Sequence, residues 1–573
     1  MAVDAHKNSF ENEVLEIELD PEEQRLFDTL KEAADAWTEG KLSLAKKTVQ
    51  IRIAGGWVRD KILGLQTHDV DIALDTCTGV EFAQAVKEFY EKGHANSKDA
   101  KDKIGKIGVI AANPAQSKHL ETACVRIFGN DVDFSNLRHE TYAEHSRIPD
   151  TVMGTPLEDS YRRDCTMNAL YYNLNTHSIE DWTRRGLEDL LKTKVVHTPL
   201  DAVQTFRDDP LRVLRVIRFA VRYEMELSDE IKSASQLPQV HNELRRKVSR
   251  ERVGNELEGM LSGKHANPAK AMDLICKLHL GGSVLYLPTG VDIMGTIGQT
   301  RLEPATYMRA GADEEDLSPL RACAWEETQE CLRVLSAVLE SFVGNPNAFT
   351  SVDERLVYLA VFVLPYMKLQ YLEKQKTKSV VDYMVRNGIK FKNKDAIYVD
   401  LVTQNLDEMI LLLEQQHRQK STTNGTPALR LQTGLLLRSA KEMWVTTLVV
   451  ATVVLSRKYE TSLDVGYWCA RAKELYETIV VGMNLDEGWK KKPLMNGKDL
   501  IRVLELNRGP EVGVYMEEQV KWTLTNPSGT IEELHGHLKR FKTNRALGND
   551  DEDVQPVLKK MHLEEKCRFT SSR

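Results

Sequence analysis

The chain has 573 residues, of which 42% are hydrophobic, and it carries a formal net charge of −8 at pH 7. This length allows several domains with substantial cores, and the acidic balance excludes a protein that coats nucleic acid indiscriminately. Its eight cysteines include no C-x-x-C pair, which indicates reduced thiols in an intracellular protein. The acidic N-terminus lacks the features of a mitochondrial transit peptide or a secretory signal. We therefore expect the cytoplasm, with the nucleus and, through an alternative start, the mitochondrion as further locations.

A glycine turn between a predicted strand and a predicted helix is the first candidate for binding phosphate. Alternating β-branched residues predict a strand over Val49 to Ala54, and the Gly55-Gly56 pair allows a sharp turn into a helix over Trp57 to Leu63. Free backbone N–H groups at a helix start attract phosphate oxygens. Arg59 lies one turn into this helix, where its guanidinium can bind a triphosphate, and the adjacent Asp60 can hold either the turn or that arginine.

Two acidic residues follow on the next predicted strand, His68 to Leu74. Asp69 and Asp71 are two residues apart, so both carboxylates leave the same face of the strand. Magnesium prefers a few carboxylates together with phosphate oxygens and water, which suits a site completed by a nucleoside triphosphate. The pattern therefore predicts a Mg²⁺ site held by Asp69 and Asp71.

Taken together, G-G-x-V-R-D, L-G and D-x-D at this spacing resemble the signature of the class II tRNA nucleotidyltransferases, the CCA-adding enzymes. The related bacterial poly(A) polymerases of the DNA polymerase β superfamily share these motifs. The resemblance implies an α+β protein, with an N-terminal nucleotidyltransferase head built on a mixed β-sheet and flanking helices, followed by an all-α neck, body and tail. It covers the first half of the chain through five ordered blocks and the second half weakly.

Two further blocks of the head extend the resemblance. Asp133, in the strand-like VDFSNLR, resembles the third acidic position of the family, with Asp131 as the alternative. In that role Asp133 would help to bind metal and would draw the proton from the terminal hydroxyl of the primer. The segment Asp159 to Asp164, followed by CTMNAL, resembles the block that handles ribose and phosphates, and Arg163 is its best-matched nucleotide contact. Ile179 to Leu190 resembles the turn after the catalytic domain and is interpreted as a hinge without contacts.

The segment that selects the nucleotide is predicted next, in a helix over Asp208 to Tyr223 that carries an apolar stripe. The resemblance implies that Asp209 and Arg212 read the incoming base as a protein template. An aspartate can accept from the exocyclic amine of cytosine or adenine, and an arginine can donate to ring acceptors. Uracil and guanine present a carbonyl in place of that amine, so they leave polar groups unpaired. Arg215 and Arg218 would serve phosphate or orient this pair.

A second helix, Glu243 to Leu261, is expected to brace the first one. Ser249 is a candidate N-cap before Arg250 to Leu261. Three charged residues of its family-like block are expected to form ion pairs rather than to do chemistry, and they are Glu251, Arg252 and Glu256.

The domain prediction follows the change from mixed strand and helix signals to helical ones. We expect a catalytic head over residues 1–195, opening with a helix over Asp20 to Trp37, a helical neck with the nucleotide pocket over 196–305, and a helical body and tail that bind tRNA over 306–573. In the tail, Asn496 can cap a helix whose N-terminus, with Lys498, holds a tRNA phosphate, and a purely structural cap is the alternative. The apolar run Met443 to Leu455 is roughly half a membrane span and predicts a buried helix, so no membrane contact is expected.

The resemblance implies an enzyme that adds C, C and A to the 3′ end of tRNA from CTP and ATP, with Mg²⁺, without a nucleic-acid template and with release of pyrophosphate. No obligatory protein partner is evident. A poly(A) polymerase shares the head motifs and is the nearest alternative. The divergent segment His139 to Asp159, with Tyr142 and Arg147, leaves open an enzyme specialised for CC or A addition. A catalytically silent RNA-binding protein is the non-enzyme alternative, against which the intact Asp69, Asp71 and Arg59 argue.

Overall fold

The computed structural model describes residues 16–44, 47–93, 104–110, 122–141, 149–263, 265–288, 291–297, 300–302, 318–343, 352–418, 426–457 and 462–546. The chain divides into two compact units. The first comprises Met1–Ile293, Pro304–Trp325 and Tyr383–Lys392, and the second comprises Met294–Glu303, Glu326–Asp382 and Asn393–Arg573. The expected domain boundaries near residues 195 and 305 stay a prediction.

A seven-stranded mixed sheet forms the centre of the first unit. Its strands are β1 (Ile51–Ala54), β2 (Asp69–Leu74), β3 (Gly108–Ile110), β4 (Thr122–Ile127), β5 (Asn130–Asn136), β8 (Leu170–Asn173) and β9 (Ser178–Asp181), and a separate hairpin pairs β6 (Arg138–Thr141) with β7 (Asp150–Met153). The spatial order is β3-β4-β5-β2-β1-β8-β9. Only β2 and β5 pair in parallel among these neighbours of the described sheet. This mixed sheet confirms the predicted head architecture.

Three helices, α1 (Pro21–Thr38), α2 (Gly56–Ile62) and α3 (Gly79–Gly93), pack with this sheet. Asp20 is the N-cap of helix α1, and its side chain accepts hydrogen bonds from two backbone N–H groups of the first turn. The packing is aromatic: the Trp57 ring meets Phe27 edge-on at 5.2 Å, and Phe82 meets Phe134 at 5.6 Å. The alternating burial of β2 turns Val70 and Ile72 inward and leaves its two acidic residues exposed.

The remainder of the first unit is mainly helical. Its helices are α4 (Pro156–Tyr161), α5 (Gly186–Glu188), α6 (Ala202–Asp208), α7 (Arg212–Arg222), α8 (Asp229–Ser235), α9 (Pro238–Lys247), α10 (Arg250–Leu261), α11 (Pro268–Lys277) and α12 (Gly281–Val284), and a short ladder pairs β10 (Val195–Val196) with β11 (Glu226–Leu227).

Both long helices expected in this region are interrupted. The predicted helix over Asp208 to Tyr223 is broken before α7, because Pro210 disfavours helical geometry at the preceding Asp209, which is extended at φ −137° and ψ 103°. The predicted helix over Glu243 to Leu261 is broken at Val248 and Ser249, which separate α9 from α10. Ser249 occupies the predicted N-cap position, and its side chain makes no capping hydrogen bond.

The second unit combines helices with a small sheet. Its elements are β12 (Ile293–Ile297), β13 (Thr300–Leu302), α13 (Ser318–Val343, from Glu326 onward), α14 (Glu354–Phe362), β14 (Leu369–Glu373), β15 (Lys376–Ser379), α15 (Val380–Tyr383), α16 (Asn393–Gln404), α17 (Leu406–Arg418), α18 (Pro427–Ala440), α19 (Trp444–Arg457), α20 (Ser462–Glu477), α21 (Gly497–Leu504), α22 (Glu511–Thr525) and α23 (Ile531–Ala546). The sheet order is β13-β12-β14-β15. The α+β class is confirmed, but the region after the head is mostly helical rather than all-α.

One described stretch, Pro427–Arg457, is long and apolar enough to cross a membrane by length and composition, and 72% of its most apolar window is buried inside the protein. It spans α18 and α19, and α19 has fully buried residues on all sides, such as Leu448, Val449 and Val450. The predicted buried helix over Met443 to Leu455 is therefore confirmed as part of a protein core.

Replacing Gly254 by alanine tests the packing behind α10. A Cβ there would lie 2.0 Å from the carbonyl oxygen of Ile389, a backbone atom that cannot move aside cheaply. We expect Gly254→Ala to lower the free energy of unfolding by about 2–3 kcal/mol, measured by urea denaturation. Gly466 in α20 has no atom within 4 Å of the same position, so Gly466→Ala should leave stability unchanged or raise it by up to about 1 kcal/mol. Equal stabilities of the two variants would contradict this account.

Candidate active site

The turn between β1 and α2 is shaped by a glycine that no other residue can replace without strain. Gly55 has φ +62°, and a Cβ on it would lie 2.8 Å from a terminal guanidinium nitrogen of Arg163 and 3.2 Å from the carbonyl oxygen of Asn168. Gly56 opens α2 directly after it. The turn therefore brings the backbone of the first helical turn next to Arg163, as a group that binds phosphate requires.

The acidic residues lie side by side on two neighbouring strands. In the parallel pairing of β2 with β5, Asp71 stands opposite Asp133 and Asp69 stands opposite Asp131. Strands paired in this way are about 4.8 Å apart, and paired residues point to the same face. Asp69 and Asp71 are exposed, and Asp133 is half-buried.

The electrostatic environment of Asp71 links it to Asp133 rather than to Asp131. Desolvation raises the pKa of Asp71, and the carboxylates of Asp133 and Asp69 raise it further, whereas the Arg163 and Arg138 guanidinium groups lower it. Asp131 instead faces Arg126 at 4.0 Å on an exposed surface. Asp133 is thus the residue of β5 that shares the electrostatic field of Asp71.

These carboxylates fit a hard cation that shares its coordination with a substrate. Within the described part of the chain, no three His, Cys, Asp or Glu side chains are grouped closely enough to hold a metal ion by themselves. Magnesium-type sites need only one or two carboxylates when substrate phosphates and water supply the other oxygens. Asp69 and Asp71, on one exposed face, provide that donor set.

Arg163 is the predicted nucleotide contact that lies nearest to the acids. Its Nε and one terminal nitrogen donate to Oδ2 of Asp159 at 3.2 and 2.8 Å, and the other terminal nitrogen donates to the carbonyl of Asn168 at 2.9 Å. Asp159 is 1% exposed and also accepts from Arg162 and from Tyr171. These donors hold the pKa of Asp159 far below its usual range despite its burial.

Arg59 occupies a different environment from the one expected. It is 4% exposed, its Nε donates to Asp60 at 2.8 Å, and one terminal nitrogen donates to the side-chain oxygen of Asn168. Its guanidinium also lies over the Tyr223 ring at 4.4 Å. Asp60 therefore holds this arginine, as one of the two predicted options had it, and Arg59 is part of a buried network beneath the turn.

Arg215 and Arg218 are both ion-paired. Arg215 donates from Nε to Asp164 at 2.6 Å and reaches Glu256 at 3.7 Å, while Arg218 donates to Glu256 at 2.6 Å. Glu256 thus braces the arginine helix from α10, as predicted. Asp164 is 6% exposed, and its pKa is lowered by Arg215 and by a hydrogen bond from Asn168, which outweigh desolvation.

Asp209 and Arg212 flank the break between α6 and α7. Arg212 is 8% exposed and donates to the backbone carbonyls of Arg162 at 2.7 Å and Thr205 at 3.3 Å. Asp209 accepts from the Arg252 guanidinium at 2.7 Å and from the backbone N–H of Leu211 at 3.2 Å. Arg252 therefore braces the start of the arginine helix by an ion pair, as predicted, and its partner is Asp209.

In the second unit, Asn496 caps α21 as predicted, because its side chain accepts from the backbone N–H groups of Lys498 and Asp499 at 2.9 and 3.1 Å. The buried amide of Gln519 holds the preceding loop through two hydrogen bonds to the backbone of Met495. Lys498 and Arg508 line an open groove of 590 Å³ at this helix start.

Two sets of interactions escaped sequence reasoning: those of Asn168 and those of Tyr223. Asn168 lies within the CTMNAL block and Tyr223 directly follows α7. The motifs therefore include or adjoin both residues but predict no role for either. Tyr142 and Arg147, which carried the prediction of a specialised enzyme, lie outside the described residues.

Comparison with known proteins identifies the family. Residues 51–197 match the family model of the poly A polymerase head domain. The chain is 32% identical to the mitochondrial CCA tRNA nucleotidyltransferase of Saccharomyces cerevisiae, over 90% of this chain and 92% of that protein. It is also 32% identical to the tRNA nucleotidyltransferase cca2 of Schizosaccharomyces pombe, over 92% and 99% of the two chains. The chain belongs to the CCA tRNA nucleotidyltransferase family.

The fold agrees with this membership. A solved apo form of a CCA-adding enzyme aligns with a TM-score of 0.53 over 91% of this chain and 96% of that one, at 20% identity. Nucleotidyltransferases of this family typically use a divalent metal ion. The chain is therefore a CCA tRNA nucleotidyltransferase with an α+β fold, and the alternative of a catalytically silent binding protein is set aside.

Acid titration of Asp164 tests the buried network. Because its pKa is lowered in the folded protein, the ionised carboxylate stabilises the fold above its unfolded pKa of about 3.9, and this stabilisation is lost as the pH falls towards the folded value. We expect Asp164→Asn to cost about 3 kcal/mol of unfolding free energy near pH 7, and the difference from the wild type to shrink below about pH 4. Urea denaturation across this pH range measures it. Asp229→Asn, at a side chain that is 94% exposed, should show no such difference, and a pH-independent gap for Asp164→Asn would contradict the assignment.

Proposed function

We propose that this chain adds C, C and A in order to the 3′ end of immature tRNA, using CTP and ATP with Mg²⁺ and releasing pyrophosphate, without a nucleic-acid template. The observation that carries the proposal is the 2.7 Å hydrogen bond from Arg212 to the carbonyl of Arg162. This bond joins Arg212, the residue of α7 proposed to select the base, to the neighbour in sequence of Arg163, whose charge acts on Asp71. Arg162 and Arg163, which are consecutive in the chain, therefore connect the proposed base-selecting residue Arg212 with the acidic site.

In the proposed reaction the acidic face holds and activates the reactants. Asp69 and Asp71 would bind Mg²⁺, which supplies neutralisation of the charge that develops on the triphosphate. Asp133, beside Asp71, is placed to accept the proton of the primer's 3′ hydroxyl. The 3′ oxygen attacks the α-phosphate in line, a P–O bond forms to the primer, and the bond to pyrophosphate breaks. Positioning and electrostatic stabilisation account for most of the rate.

Arg163 and the turn at Gly55 and Gly56 are proposed to bind the phosphates and ribose. A guanidinium has five N–H donors, and the three hydrogen bonds of Arg163 to Asp159 and Asn168 leave others for substrate oxygens. Arg59 was expected to bind the triphosphate directly. Its burial and its pairing with Asp60 instead support a role in holding the turn.

Asp209 and Arg212 are proposed to select the base. The two hydrogen bonds to Asp209 occupy part of a carboxylate that offers about four acceptor sites, so it can still accept from the exocyclic amine of cytosine or adenine. Arg212 would donate to the ring acceptors. The ion pairs of Arg215 and Arg218 support orientation of this helix rather than direct phosphate binding.

The groove at Lys498 is proposed to hold a tRNA phosphate. Lys498 and Arg508 bring two positive charges to the start of α21, and phosphate contacts of this kind position nucleic acid without reading its sequence. The cytoplasm and the nucleus remain the proposed locations. A mitochondrial location is consistent with the relative from Saccharomyces cerevisiae, which carries that designation.

The proposal is tested with purified protein, Mg²⁺ and three tRNA transcripts that end before CCA, after C and after CC, each supplied with CTP, ATP or both. We expect ordered addition of C, C and A that stops after one A, resolved at single-nucleotide length. Asp69→Ala and Asp71→Ala should abolish it because the cation loses its ligands. Asp131→Ala, which removes an exposed carboxylate that faces Arg126 at 4.0 Å, is the matched control and should retain activity. An ATP-only ladder would indicate a poly(A) polymerase, and CTP-only or single-A products a specialised enzyme.

A second variant tests base selection. Asp209→Ala removes the acceptor proposed for the exocyclic amine, so incorporation of CTP relative to UTP should fall by about tenfold or more. Steady-state kcat/KM values for both nucleotides measure this ratio. The exposed Asp201, the N-cap of α6, supplies the control, since Asp201→Ala should leave the ratio unchanged. An unaltered ratio in Asp209→Ala would remove this residue from nucleotide selection.

A further inference from the structure

A closed set of buried contacts joins the turn at Gly55 to the base-selecting helix α7. The set begins at Arg59 and Asp60 in α2, which are 4% and 6% exposed and bind each other at 2.8 Å. Both residues also contact groups outside α2. The pair therefore connects the proposed phosphate-binding turn with two residues outside α2, Tyr223 and Asn168.

The first outer contact is Tyr223, directly after α7. Its hydroxyl donates to Oδ1 of Asp60 at 2.8 Å, and the Arg59 guanidinium lies 4.4 Å above its ring. The ring of Phe219 continues the stack, at 6.3 Å from Tyr223 and 5.2 Å from the Arg59 guanidinium. Hydrogen bonding and cation–π stacking thus attach the C-terminal end of α7 to α2.

The second outer contact is Asn168. Its side-chain oxygen accepts from Arg59, and its side-chain nitrogen donates to Asp164 at 3.0 Å. Asp164 in turn accepts from Arg215 at 2.6 Å. Asn168 is the neutral link between a buried cation and a buried anion, and it attaches the N-terminal half of α7 to the same arginine.

The two attachments are spaced along the helix. Arg215 and Tyr223 are eight residues apart, which is about 12 Å along a helix axis. Two attachments at this distance restrain tilt and rotation of α7, whereas a single one would act as a pivot. Shifting the helix would leave buried polar groups unpaired, which costs more than the hydrogen bonds contribute when they are formed.

We propose that Tyr223 and Asn168 are positioning residues for nucleotide selection, which clamp α7 to the phosphate-binding turn so that the base and the triphosphate are held in one fixed geometry. The inference rests on the proposed roles of Asp209 and Arg212. Both residues are proposed to act through other side chains rather than through a contact with the nucleotide. They act through Arg59, Asp60 and Asp164, and a displacement of about 1 Å in α7 is enough to weaken recognition of one exocyclic group.

Tyr223→Phe is the main test because it removes a single hydroxyl and keeps the ring. On a tRNA ending in CC, the ratio of kcat/KM for ATP to that for GTP should fall by about tenfold, through a higher KM for ATP. Tyr172→Phe is the matched control: Tyr172 packs on Trp57 at 6.0 Å in the same unit, outside this network, and its variant should keep the wild-type ratio.

The second attachment is tested separately. Asn168→Ala should lower the same ratio, whereas Asn173→Ala, at a buried asparagine of β8 that binds Glu180, should not. Thermal unfolding of all four variants shows whether any loss is one of stability alone. A wild-type ratio in both Tyr223→Phe and Asn168→Ala overturns the clamp, as does an equal fall in the controls. If the wild-type enzyme itself does not discriminate ATP from GTP, the proposed base selection fails, and that result is distinct from failure of the clamp.

Discussion

Parallel pairing of β2 with β5 places the carboxylate of Asp71 beside that of Asp133, in a sheet whose other described pairings are antiparallel. Desolvation raises the pKa of Asp71, and the like charges of Asp133 and Asp69 add to this increase. Arg163 and Arg138 offset part of this repulsion without binding both acids fully. A divalent cation at this face would relieve the remainder, so the register of one strand pair supports the proposed binding of metal and, with it, of triphosphate.

Arg163 can reduce the repulsion between the carboxylates because hydrogen bonds to Asp159 fix its position. Asp159 is buried and accepts hydrogen bonds from Arg162, Arg163 and Tyr171. Buried ion pairs add little net stability compared with apolar packing, but removing one partner leaves a costly unpaired charge. The pairs around Asp159 and Asp164 therefore contribute mainly to geometry: they define where each arginine stands relative to the sheet and to α7.

Local patterns in the sequence predicted the strands, the glycine turn and the acids of the head, because alternation, glycine and D-x-D spacing act over a few residues. They did not predict partners that are distant along the chain. Arg59 meets Asn168 across 109 residues, and Arg252 meets Asp209 across 43. Neither helical periodicity nor motif matching contains this information, so the motif predicts a substrate contact for Arg59 without predicting its burial.

The small sheet of the second unit was missed for a different reason. Strand β15 is an edge strand with exposed Lys376 and Lys378, a composition that protects sheet edges from pairing and that also resembles a polar loop. The break before α7 was visible in principle, since Pro210 disfavours a helical Asp209. Apolar residues nevertheless recur at helical spacing from Leu211 onward, so periodicity alone predicts one continuous helix.

Selection of a base by protein alone places a stricter demand on rigidity than selection by pairing with a template. Adenine and guanine differ where an amine replaces a carbonyl, and a flexible arginine or aspartate could turn to satisfy either group. Discrimination then depends on how costly that turn is. Arg212 donates to two backbone carbonyls, which cannot rotate away as side chains do, and Asp209 is held by Arg252. In this arrangement the specificity proposed for Asp209 and Arg212 would derive from the backbone and the ion pair that prevent these side chains from adapting.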